Sequence, residues 1–120
     1  MNTDYRKLVH SAMEEKKRFM KDFFTELLKS DRKRRIGMFE ELISGIAKVT
    51  DDREYIEMCK LSMELILTMD KNVAGEIINT RLEAQFELPE AEKVIDSRNL
   101  MRAINEMPEK NIILALIEAN

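Results

Sequence analysis

The sequence predicts an all-α fold: a compact array of five or six antiparallel helices around one buried central helix at about residues 51–69. Three observations carry this. Good helix formers dominate, with only three glycines, two prolines and no tryptophan. No stretch sustains the polar–apolar alternation of a half-buried strand. Residues 51–69, wound at about 100° per residue, put Glu57, Lys60, Glu64 and Thr68 on one narrow strip. Nearly everything else there is apolar, including Tyr55, Ile56, Met58, Cys59, Leu61, Met63, Leu65, Ile66, Leu67 and Met69. A helix apolar over most of its girth is a buried one, so this one needs neighbours on about three sides.

The other helices follow from periodicity and caps. The first spans about residues 3–29, capped by Thr3 or Asp4, with Tyr5, Leu8, Val9, Ala12, Met13, Phe19, Met20, Phe23, Phe24, Leu27 and Leu28 as its stripe. Lys16 stands where an apolar residue is expected, so the helix bends there or Lys16 lays its stem along the core. As one helix it would be about 40 Å long. That exceeds the width of a compact domain this size, so one end would project or be covered by a second copy. Ser30-Asp31 restarts the pattern, and the next helix, about residues 32–49, buries Ile36, Phe39, Leu42, Ile43, Ile46 and Val49. Gly45 inside it marks a close crossing. Thr50 and Asp51 open the central helix, and Asp51 with Glu54 has the spacing of a capping box.

After it, residues 71–87 face inward through Val73, Ala74, Ile77, Ile78, Leu82 and Phe86. Pro89 sits where a first-turn proline is tolerated. Residues 89–106 offer Ala91, Val94, Ile95, Leu100, Met101 and Ile104, but Asp96-Ser97-Arg98-Asn99 is polar all round, which leaves open two shorter helices. Pro108 opens a last helix, about residues 108–119, with Ile112, Ile113, Leu116 and Ile117 as its face. Leu88-Pro89-Glu90 and Met107-Pro108-Glu109 echo each other at an offset of 19, which is two helix starts of one kind rather than a repeat array.

At 120 residues the chain is expected to be one domain, residues 1–120, able to bury a core without disulfide or metal. The longest apolar run, Ile112–Ile117, is far short of the roughly 20 residues that span a bilayer. Met1 through Arg6 contain no apolar run of a signal peptide, and one cysteine makes no internal disulfide. A cytoplasmic protein is expected, with no membrane role. High charge with Ile and Met as core fillers suits a thermophilic prokaryote.

Few chemistries have a footing. His10 and Cys59 stand alone of their kind on different helices, so the usual zinc spacings and Glu-x-x-His are absent. His10 reads as a surface residue. Cys59 reads as a small buried hydrophobe with a scarce thiolate. Neither a nucleophile with its base nor a glycine-rich phosphate loop is visible. Glu54 and Glu57 share the Glu-x-x-Glu spacing of helical magnesium sites, but no second acidic pair accompanies them, and cap and solvated strip explain them better. No catalytic residue, metal ligand or cofactor is assigned, and a non-enzymatic role is expected.

Charge is the strongest signal. Residues 1–35 hold eleven bases and six acids, a net of +5, against −8 for the remaining 85 residues. The bases cluster as Lys16, Lys17, Arg18 and Lys21, and as Arg32, Lys33, Arg34 and Arg35 at a helix N-terminus, where they oppose the macrodipole. These eight residues are the candidate anion-binding set, for a polyanion such as nucleic acid. The plainer reading, which is favoured, is a solvated corner neutralised by Glu26, Asp31, Glu40 and Glu41, because no nucleic-acid motif accompanies the bases. A helix-turn-helix around Ile46–Met58 is excluded, since its second helix is the buried one. Most of the nine methionines fall on core stripes, with Met38 the one expected to be exposed. The function expected is a small interaction module that binds a protein partner or itself, as a homo-oligomer. The alternative is a weak nucleic-acid or polyanion binder.

Overall fold

The computed structural model describes residues 3–119, so Met1 and Asn2 of the signal-peptide reading lie outside the described residues. The described residues form seven helices and no strand: α1 (Tyr5–Val9), α2 (Met13–Leu28), α3 (Arg32–Ala47), α4 (Asp52–Leu67), α5 (Lys71–Glu87), α6 (Glu90–Glu106) and α7 (Lys110–Ala119). Connections of two to four residues join them, and the whole measures 35 × 31 × 30 Å. No helix among the described residues is long and apolar enough to cross a membrane.

The central helix is where the pattern placed it. Asp51 accepts from the Glu54 amide and Glu54 returns a bond to the Asp51 amide, a complete capping box. Tyr55, Ile56, Met58, Cys59, Leu61, Met63 and Ile66 are buried, and Glu57, Glu64 and Thr68 are exposed. α2, α5 and α6 wall α4 in. The centre is shared, however, because α5 packs against α3, α4, α6 and α7.

The expected long first helix is two helices. It breaks at His10-Ser11-Ala12, and no 40 Å rod projects. The Ser11 hydroxyl bonds the Leu8 carbonyl at 2.6 Å, closing off the end of α1 in the way short hydroxyls compete with helix ladders. α1 then folds back, with the Tyr5 ring lying on Gly45 of α3 so closely that a Cβ there would collide with it. The predicted close crossing at Gly45 is thus with an aromatic ring. α2 runs unbroken through Lys16, which is half-buried, so the lysine follows the core surface and the helix does not bend.

Downstream, the inward faces differ from expectation. On α5, Ala74, Ile77 and Ile78 are buried, but Phe86 is 74% exposed, and Arg81 and Ala84 take the inner position instead. α6 is one helix through residues 96–99, with Asp96, Asn99, Leu100, Ala103 and Ile104 inside and Ala91, Val94 and Met101 outside. Pro89 is the N-cap residue of α6, its carbonyl accepting from Lys93. Pro108 lies in the turn before α7, which begins at Lys110.

Candidate interaction surface

Two polar places and one open apolar surface stand out among the described residues. The first polar place is the core between α4, α5 and α6. Arg81 and Asp96 face each other at 2.8 and 2.7 Å in a bidentate pair, 4% and 0% exposed. The Tyr55 hydroxyl donates to Asp96 Oδ1 at 2.5 Å and the Gln85 amide donates to Oδ2 at 2.8 Å, so both carboxylate oxygens are doubly served. Burial pushes the Asp96 carboxyl up, and the Arg81 charge with these hydrogen bonds more than reverses it, leaving the pKa below the ordinary value. Burial also pushes the Cys59 thiol up, to about 12, so at neutral pH it is a thiol and no nucleophile. Beside the pair lies a cavity of about 30 Å³ lined by Tyr55, Cys59, Ser62, Arg81 and apolar side chains. That is room for a water or two. The arrangement ties three helices together.

The sequence reading missed this knot because it took residues 96–99 as polar all round. A signal was present. Arg81 is in step with Ile77, Ile78 and Ala84, and Asp96 with Leu100 and Ala103, each at helical spacing. Opposite charges on the inner stripes of consecutive helices mark a buried pair.

The second polar place is the basic N-terminal region, whose two clusters have different fates. Arg35 donates to the Leu27 and Leu28 carbonyls at 2.9 and 3.2 Å and to Glu76 at 3.0 Å. A cation at the C-terminus of α2 is favoured by the macrodipole of α2, which explains a base that α3 alone would oppose. Arg32 reaches α5, bonding Asn79 and pairing with Glu83. Arg34 bonds the Ser30 hydroxyl at 3.2 Å. Glu76 and Glu83 of α5 neutralise Arg35 and Arg32, while Glu26 pairs with Lys29 at 3.8 Å and Asp31 accepts from the Arg34 amide. Lys17, Arg18, Lys21 and Lys33 are exposed and have no ion pair among the described residues; Lys16 is half-buried, likewise without one.

The other singled-out residues have local partners. His10 is exposed, 2.9 Å from Glu54. Glu57 bonds Arg53 and Lys60, and both bases continue to Glu106 of α6 at 2.8 and 2.6 Å. Hydrogen bonds from Arg53 and then Lys60 hold the Glu106 carboxyl down at about 2. Met38 is half-buried, its sulfur taking a bond from Ser30, while Met13 and Met101 are the exposed methionines among the described residues.

The open surface is apolar. The C-terminal end of α4, the start of α5 and the outer side of α7 frame a groove of about 480 Å³. Leu67, Met69, Lys71, Ala74, Ile112, Ala115, Leu116 and Ala119 line it, and Lys71 is the one charged residue among them. Ile112 was expected inside but is 58% exposed. Sequence reasoning missed the groove because Ile112, Ile113, Leu116 and Ile117 were read as one face. Four apolar residues span more of a helix than the one contact with α5 and α6 covers. Phe86 is 74% exposed and carries Lys93 Nζ 4.0 Å above its ring centre.

Compared with protein-family models, curated proteins and solved structures, the chain matches none.

Proposed function

We propose that the chain is a small helical interaction module that works by self-association, in the cytoplasm, without chemistry of its own. The observation that supports this best is the groove of about 480 Å³ with a single charge in its lining. Open apolar grooves on a small soluble domain mark places where another surface sits. A partner is also favoured by the polar inventory. Arg81, Asp96, Tyr55, Cys59, Arg35 and Glu106 are all engaged in contacts between helices, and the groove itself offers shape and apolar area. The long projecting helix that first suggested a second copy is absent, and the groove takes over its place in the argument.

The test is mass against concentration for the full chain by light scattering. Self-association predicts growth from one 14.1 kDa chain to a discrete multiple. A constant monomer mass up to millimolar concentration overturns it.

A second reading rests on Lys17, Arg18, Lys21 and Lys33, which are exposed without an ion-pair partner among the described residues. Such bases attract a polyanion in a salt-dependent way. Retention on heparin at low salt, lost in a variant with Lys17, Arg18 and Lys21 changed to Gln, supports that reading. Passage through the column at low salt removes it.

A further inference from the structure

We infer that two copies meet through α7, antiparallel, each placing Ile112 on the small residues of the other's groove. This deepens the self-association reading and rests on it. The argument is self-complementarity. A closed two-fold dimer uses the same patch on both copies, so the patch must carry both a projection and a recess that receives it. The groove has both. Ile112 stands 58% exposed at one end. Ala115 and Ala119 follow one and two turns later on the same side of the helix. Ile112 and Ala119 are about 10 Å apart along the axis, at about 1.5 Å per residue. A two-fold axis midway, near Ala115, lays each Ile112 toward the other copy's Ala119, and the alanines let the helices approach closely.

Charge favours the same arrangement. Lys110 stands at the start of α7, Lys71 lies in the groove wall, and Glu118 stands at the far end of α7. None of the three has an ion-pair partner among the described residues. Antiparallel contact carries the Lys110 end of one helix to the Glu118 end of the other, whereas parallel contact sets like against like. The outward face of α6 competes poorly. Val94 and Met101 are exposed there, but the exposed charges Arg98 and Arg102 flank them.

The experiment uses the full chain and three variants, Ile112→Arg, Met101→Arg and Ala115→Cys, with circular dichroism to check folding. Light scattering should give twice the 14.1 kDa chain mass for the unchanged protein and for Met101→Arg. For Ile112→Arg the dissociation constant should rise at least tenfold. Mild oxidation of Ala115→Cys should give a disulfide-linked dimer, with Cys59 too buried to compete. Dimers that survive Ile112→Arg, or that fail to cross-link through Ala115→Cys, overturn this seat and leave self-association standing. A monomer at every concentration overturns both.

Discussion

α4 and α7 are both apolar over most of their girth, yet they end in opposite situations. α4 has α2, α5 and α6 around it, and beyond its first turn its exposed residues are Glu57 and Glu64. α7 has α5 and α6 on one side, which bury Ile113 and Leu116, and the open groove on the other, where Ile112 stands out. The difference teaches that apolar content states how much cover a helix needs but not who provides it. For α4 the provider is the same chain. For α7 the proposed self-association assigns the remaining cover to a second chain.

The largest expected effect breaks the interior that walls α4 in. Asp96→Ala leaves the Arg81 guanidinium buried and unpaired, which costs about 3–5 kcal/mol of folding free energy. Chemical denaturation measures it. The pair together is weak evidence for stability, since a well-packed apolar replacement often does as well. So Arg81→Met with Asp96→Leu should recover most of the loss, and a double variant as unstable as Asp96→Ala would refute that account of the knot.

Next comes the direct contrast between the two helices. Ile66, 0% exposed on α4, should cost about 2–5 kcal/mol when cut to Ala. Ile112→Ala on α7, assayed at dilution, should change stability by no more than about 0.5 kcal/mol. Equal losses would mean that α7 is walled in after all.

The smallest effect is a slope in pH. Glu106 titrates at about 2 in the folded chain, against an ordinary value of 4.5. A carboxyl depressed by folding contributes stability that is complete above its unfolded pKa and is lost as pH falls through the folded one. The Arg53–Glu106–Lys60 contact should therefore weaken between pH 4.5 and about 2. Asp52, lowered by Asn99 and Arg98, and Asp96 act in the same direction. Glu106→Gln should shallow the acid limb of a stability–pH curve, and an unchanged limb would remove Glu106 from its causes.

Much of this architecture was legible before any coordinates. The capping box at Asp51–Glu54, the Asp31 start of α3 and the arc of α4 are local signals, written within a few residues, and local physics decides them. What escaped depends on contacts far along the chain. The break at His10–Ala12 is fixed by Tyr5 closing over Gly45, forty residues away. Phe86 looks inward by hydrophobicity, but it is Arg81 of α5 that turns inward, because its charge has Asp96 to meet. Arg35 looked misplaced at the start of α3 until the end of α2 was seen beside it. The candidate surface was the least legible part. A groove is made of what three helices leave uncovered, and no single stretch spells it.

The most direct test compares amide hydrogen exchange of α4 and α7 at micromolar and millimolar protein. At short labelling times the α4 stretch from Tyr55 to Ile66 should stay protected at both, because its cover is internal, while protection of α7 from Asn111 to Ala119 should rise with concentration as a second copy closes over the groove. Exchange in α7 that ignores concentration would contradict the account.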